Sequence, residues 1–187
     1  MRQQVFIYGA GAMAIVLALS NYLVLFPLGD WLTYAAFSYP FAFLITDCVN
    51  RFAGAKCARR VVFAGFAIGV PLSFVFSYFA ADINAQTAMR IAAASGIAFA
   101  CAQFMDVEIF NRLRNNAWWL PPLASSAPAS IADTVLFFAL AFVATDVPWI
   151  QLAAGDLAVK AFMLAVLLPL YRLLTFRLSP PLLLTSH

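Results

Sequence analysis

Three carboxylates stand inside long apolar stretches of this chain: Asp47, Asp106 and Asp133. A charge in hydrocarbon costs about 2.5 kcal/mol or more unless it is paired, solvated or protonated. Each acid is therefore a candidate for ligand binding or proton handling, and its neighbours sort the cases. Glu108 has Arg112 four residues on, and Asp47 has Arg51 at the same spacing. Side chains so spaced meet on a helix. For Glu108 that surface pairing is the expectation. Asp133 has no basic residue nearby in sequence, so a buried functional carboxylate is expected there. Ser126, Ser130 and Asp133 are spaced by four and three, which puts them on one helix face. The run Trp118, Trp119, Leu120, Pro121, Pro122 comes before them. It reads either as an interfacial turn into an ordinary helix or as a broken, late-starting helix whose free amides and hydroxyls line a cavity. A faint echo joins Asp47, Asn50 and Arg51 to Glu108, Asn111 and Arg112, with Phe43 and Phe104 ahead of them. Repeated halves occur in transporters, and shared helix-end composition gives the same pattern.

Other chemistries lose their parts list. The only histidine is His187, the last residue. Zinc hydrolysis and Ser-His-Asp catalysis therefore lack their usual base. Cys48, Cys57 and Cys101 show no metal-ligand spacing, and their odd number fits free thiols. Paired aspartates could activate water as in aspartic proteases, yet Asp47 and Asp106 carry no such flanking signature. Gly9, Gly11 and Ala14 imitate a dinucleotide fingerprint, which needs a strand before it and a soluble βαβ unit around it. Ala10, Ala14 and Ala18 recur every four residues, and that stripe suits close helix approach. Packing within one bundle is favoured over contact with a separate subunit. No enzyme activity, metal or cofactor is expected.

The elements that must position these residues follow from composition. Of 187 residues, 65% are hydrophobic and 10% charged. Soluble domains carry roughly 25% charge. The difference excludes a soluble domain, a disordered chain and a disulfide scaffold. A span takes about 20 residues before its connection is added. The chain then holds about six transmembrane helices in a single domain. The apolar stretches are residues 5–26, 31–49, 61–81, 91–110, 124–144 and 157–176. Their length and lack of alternation predict an all-α polytopic membrane protein and not a β-barrel. A signal peptide over residues 1–20 is disfavoured, because the apolar run continues past its core length. Arg2, Arg51, Lys56, Arg59, Arg60, Arg112, Arg114, Arg172 and Arg177 fall on one side of this topology. Arg90 and Lys160 fall on the other, with Asp30, Asp82, Asp146 and Asp156. Positive loops stay inside, so both termini are expected in the cytoplasm. The net charge of +3 is thus an orientation signal and does not point to nucleic acid.

Three ordered motifs then resemble a known family. The first runs from Phe41 through Thr46, Asp47, Asn50 and Arg51 to Gly54, followed by Ala58, Arg59 and Arg60. The second is Gln103 and Asp106 followed by Asn111 and Arg112. The third is Ser125 and Ser126 with Asp133 and Thr134, continuing to Phe138. They are similar to the second, fourth and fifth helices of the queuosine precursor transporters, also termed the vitamin uptake transporter family. That resemblance implies a six-helix protein of the bacterial inner membrane. It implies import of 7-cyano- and 7-aminomethyl-7-deazaguanine for queuosine salvage. Arg51 stands where the family pattern often places an acid, which counts against a proton or cation role there.

The implied substrate suits the residues. A deazaguanine is flat, with ring N–H and amine donors that one carboxylate can accept together. The expected site has Asp133 and Asp106 on that edge, with Asp47 and Asn50 nearer the cytoplasmic gate. Gln103, Asn50 and Asn111 offer amides for the carbonyl edge. Ser126 and Ser130 offer hydroxyls, and Phe43, Phe104 or Trp119 offer stacking faces. The expected partners are a nucleobase-like small molecule and the lipid bilayer, with a homo-oligomer or an energising subunit left open. The competing class is the binding subunit of a multi-component vitamin importer, docked through the Ala10, Ala14 and Ala18 stripe.

Overall fold

The computed structural model describes residues 2–29, 32–80 and 84–177. Asp30, Asp82 and His187 lie outside them. Helix α1 (Arg2–Leu23) leads through a small antiparallel pairing of β1 (Pro27–Leu28) with β2 (Leu32–Thr33) into the short α2 (Ala35–Ser38). Then follow α3 (Phe41–Ala53), α4 (Ala55–Val75) with a π-helical turn over Phe76–Ala80, α5 (Ala85–Leu113), α6 (Leu120–Phe142) and α7 (Trp149–Arg177). Among the described residues, five helices are long and apolar enough to cross a membrane: α1, α4, α5, α6 and α7.

The expected second span takes another form. Its residues are divided between α2 and α3, with Tyr39 and Pro40 at the break. Proline supplies no amide to a helical ladder, so the chain restarts at Phe41. At about 1.5 Å per residue α3 is about 20 Å long, short of the roughly 30 Å hydrocarbon core. It is nevertheless the hub of the bundle. Its buried residues Ala42, Phe43, Leu44, Thr46, Asp47, Val49 and Asn50 look to several neighbours at once. Val49 joins Met13, Leu17, Val61, Val62, Phe99 and Val107 in a core between α1, α3, α4 and α5. Leu44 joins Phe110, Val159, Met163, Leu167 and Tyr171 on the α5 and α7 side. Phe43 meets Ala102 and Ala129 of α5 and α6.

Close approach explains the small residues. A Cβ on Gly65 would lie 2.8 Å from Met13 Cγ and 3.0 Å from Phe99 Cζ, so α1, α4 and α5 meet there only because it is glycine. Gly54 has φ of 84°, a conformation open to glycine. It lets α3 end and α4 begin with no intervening loop. Gly9 and Gly11 sit within the continuous helix α1, with no strand before them among the described residues, so the nucleotide-fingerprint geometry is absent here. Gly9, Met13, Leu17 and Ser20 form the buried face of α1, and the Ala10, Ala14 and Ala18 stripe is half-buried beside it.

The outside of the bundle is apolar. Ile15, Phe63, Phe79, Ile150 and Phe162 are between 61% and 73% exposed. Such a surface is stable facing lipid and would aggregate in water. The basic residues gather at one end. Arg51 Nη1 donates to the Arg114 carbonyl and Arg114 Nη2 to that of Arg51, both at 2.6 Å, joining the C-terminal ends of α3 and α5. Arg59 reaches Glu108 at 2.7 Å, and Arg172 lies 5.2 Å from the Trp118 ring. At the other end, Arg90 Nε donates to the Leu140 carbonyl, capping α6 as cations do at helix C-termini.

Candidate functional site

A narrow cleft, with about 20 Å³ of free volume, lies between α3, α6 and α7. Its α3 wall is Pro40, Phe43, Leu44 and Asp47, and its α6 wall is Pro122, Ser126 and Ser130. Lys160, Leu164, Leu167, Leu168 and Tyr171 of α7 complete it. The break before α3 shapes one wall, because Pro40 lines the cleft. The α6 wall follows from the four-and-three spacing of Ser126, Ser130 and Asp133, and all three are buried.

Asp47 and Asp106 meet at one end of the cleft. Ser126 Oγ lies 3.0 Å from Asp106 Oδ1 and 3.4 Å from Asp47 Oδ2. Thr46 donates to Gln103 Oε1 at 2.9 Å, and Asn50 Nδ2 donates to the Val107 carbonyl at 3.0 Å. These bonds bind α3 to α5 behind the cleft. Among the described residues, four buried side-chain atoms have no protein partner: Asp47 Oδ1, Asp106 Oδ2, Asn50 Oδ1 and Gln103 Nε2. Native interiors leave few such groups, so their concentration here marks a site. Asp47 faces the cleft, and Asp106, Gln103 and Asn50 form a fully buried layer behind it.

At the other end, Lys160 Nζ lies 2.8 Å from Asp133 Oδ2, 2.6 Å from Asp156 Oδ2 and 2.8 Å from Thr134 Oγ1. Thr134 also donates to Asp156 at 2.7 Å. The ammonium sits 5.6 Å from the centre of the Tyr39 ring. That separation is within cation–π range. Lys160 is 4% exposed and lines the cleft.

Several expectations change. Asp133, expected to stand without a cation, receives Lys160 from α7 across 27 positions of sequence. Lys160 and Asp156, expected at the outer ends of the spans, both lie inside α7. Arg51 does not pair with Asp47, because it reaches instead to Arg114. Helix α6 is not late or broken. Pro121 and Pro122 occupy its first turn, where a missing amide leaves no bond unmade. Asn111 is exposed at the basic end, away from Asn50. Glu108 pairs outward with Arg59 and Arg112, so the echo between the two segments has no common geometry. Of the expected stacking faces, Phe43 lines the cleft. Phe104 packs edge-on to Phe63 at 5.1 Å, and Trp119 is 43% exposed. Thr46, Ser125, Tyr39, Tyr171, Asp156 and Lys160 are not among the site residues expected from sequence. Lys160 carries the same signal as Asp133, a charge inside an apolar run.

Comparison with known proteins gives the family. Residues 33–174 match the family model described as "Putative vitamin uptake transporter". The chain is 38% identical over 181 residues to the queuosine precursor transporter of Escherichia coli strain K12, covering 86% of this chain and 81% of that one. It is 34% identical over 146 residues to a probable queuosine precursor transporter of Haemophilus influenzae, covering 70% and 62%. A probable queuosine precursor transporter of Bacillus subtilis is 29% identical over 153 residues, covering 70% and 66%. No solved structure gives a significant match. Five membrane-length helices and these relatives converge: the chain is a multi-pass membrane protein and belongs to the vitamin uptake transporter family, alongside the queuosine precursor transporters.

Proposed function

We propose that this protein imports queuosine precursors, 7-cyano- and 7-aminomethyl-7-deazaguanine, across the bacterial inner membrane for tRNA queuosine salvage. The observation that carries the reading is Asp47, a buried carboxylate with a partnerless Oδ1, lining an apolar cleft. A carboxylate accepts the ring N–H and the amine of a guanine-like edge in parallel, which is the strong bidentate arrangement. Ser126 and Ser130 offer hydroxyls toward the carbonyl edge, and Phe43 and Tyr171 offer apolar faces for a flat ring. Asp106 reaches Asp47 through Ser126, and Gln103 and Asn50 tie α3 to α5 behind it. Asp133 serves with Lys160 at the far end of the cleft, and Asn111 lies outside it.

The reading includes six crossings, with α2 and α3 together forming one interrupted span. It places the arginine-rich end in the cytoplasm, and both termini with it, by the positive-inside preference. A negative-inside potential then draws an aminomethyl cation inward by about 2.3 kcal/mol per 100 mV. The deciding experiment is rescue of tRNA queuosine in a precursor-auxotrophic strain supplied with each base. Wild type restores queuosine and Asp47→Asn does not, at equal protein level; full rescue by Asp47→Asn rejects the site. Uptake by the purified chain alone in proteoliposomes separates a standalone importer from the binding subunit of a larger one.

A further inference from the structure

The contact between Asp47 and Asp106 leaves a charge to be accounted for. Ser126 has two carboxyl neighbours. It has one hydroxyl hydrogen, so it donates to one of them at a time. Asp47 is 3% exposed and Asp106 0%. Among the described residues neither forms an ion pair; the ion pairs lie at Glu108 and at Lys160. While water is excluded, two adjacent carboxyl groups buried away from cations do not both ionise, and one keeps a proton.

A second observation concerns Gln103. It is fully buried. It lies one turn before Asp106, on the same face of α5. Its Oε1 is held by Thr46, the neighbour of Asp47, while its Nε2 donor has no acceptor. A buried donor left open beside a carboxyl group fits a site that changes state. The other titratable or charged groups around the pair are few. From α3 there is Cys48, and from α7 Tyr171 and Lys160. From α6 there is Asp133, already tied to Lys160. Arg51 and Arg114 are bonded to each other's carbonyls.

We infer that Asp106 is a proton site linked to the cleft through Ser126: the deazaguanine edge takes the Asp47 carboxylate while Asp106 holds the proton, and one proton enters with each base. The inference rests on the reading of Asp47 given above. In the empty cleft the proton sits on Asp47. As the base arrives, that O–H bond breaks and its proton passes to Ser126 Oγ. The hydroxyl's own proton passes to Asp106, where a new O–H bond forms. The pair keeps one negative charge, now on Asp47, which accepts the two N–H donors. On the cytoplasmic side the base leaves, water reaches Asp47, and the proton returns by the same route and departs to bulk water. Water that reaches Asp47 from the open cleft offsets the cost of the unprotonated pair on the return. A metal cation needs a cage of oxygens, whereas two carboxyl groups and one hydroxyl suffice for a proton.

The test uses the full chain in proteoliposomes with a pH dye inside and 7-cyano-7-deazaguanine outside, a neutral base whose entry carries no charge of its own. Wild type should acidify the lumen by about one proton per base, and one pH unit, alkaline inside, with the membrane potential clamped at zero, should give about tenfold accumulation. Asp106→Asn should exchange labelled for unlabelled base yet neither acidify nor accumulate. Its binding should be flat across neutral pH, where wild type binds more weakly as pH rises. Wild-type net uptake without lumen acidification, accumulation driven by a sodium gradient, or proton-driven accumulation by Asp106→Asn overturns the inference alone. Failure of wild type to exchange the base at all overturns the substrate reading, and the inference with it. If Asp106→Asn does not fold, the wild-type lumen measurement still decides.

Discussion

Helix α6 carries two buried polar centres on one face, Ser126 and Asp133. They stand about 10 Å apart along its axis. Around Asp133 a cation is present: one lysine lies between two carboxylates, with Thr134 bonded to both Lys160 and Asp156. Around Ser126 two carboxyl groups meet with no cation, and buried atoms are left without partners. A buried ion pair supplied with hydrogen bonds holds helices in register, and its loss is costly because the surviving charge stays buried. An incompletely satisfied cluster contributes little to holding a bundle together, and it is where an external ligand gains most. The two centres share one helix and flank one cleft, yet the first reads as a clamp between α6 and α7 and the second as a receptor.

Substitutions can break that contrast. The largest effect on folding is expected from Lys160→Met, which strands Asp133 and Asp156 and should cost about 3–5 kcal/mol. A fall in thermal midpoint or in recovered monodisperse protein in detergent would show it; an unchanged midpoint would remove the clamp. Asp47→Asn should do the opposite, cutting uptake at least about tenfold, or about 1.4 kcal/mol, with the midpoint kept. Labelled-base uptake at matched protein level reads this, and a folded Asp133→Asn with dead uptake beside a working Asp47→Asn would reverse the assignment. Ser126→Ala removes one hydroxyl between two acids, a loss on the order of 1–3 kcal/mol for bonds to charged groups. It should lower uptake more than stability, and a change confined to the melting curve would count against its place in the site. Glu108→Gln, at the exposed end of the sequence echo, should leave both measurements close to wild type.

The acids themselves are legible in the sequence because hydrocarbon makes any charge conspicuous, whatever it is bonded to. Their grouping is not. Asp106 belongs with Asp47 because helices α3 and α5 pack at Thr46–Gln103 and Asn50–Val107, contacts spanning 57 positions. Glu108, two residues further on, turns outward to Arg59 and Arg112. The similarity between the Asp47 and Glu108 segments is a likeness of helix ends, and a step of two residues on a helix is enough to separate cleft from surface.

Composition and apolar run length determined the helical, multi-pass character of the chain, because the bilayer demands a fixed length of apolar residues and internally bonded backbone. The gathering of the arginines at one end follows from the same alternation of spans and loops. The tertiary structure decided which charges are neutralised. Lys160 finds Asp133 across α6 and α7, Arg51 turns away from Asp47, and α3, restarted after the break at Pro40, brings Asp47 against Asp106 and Ser126. Electrostatic pairing acts over a few ångströms of space, and sequence separation carries almost no information about such distances once helices pack.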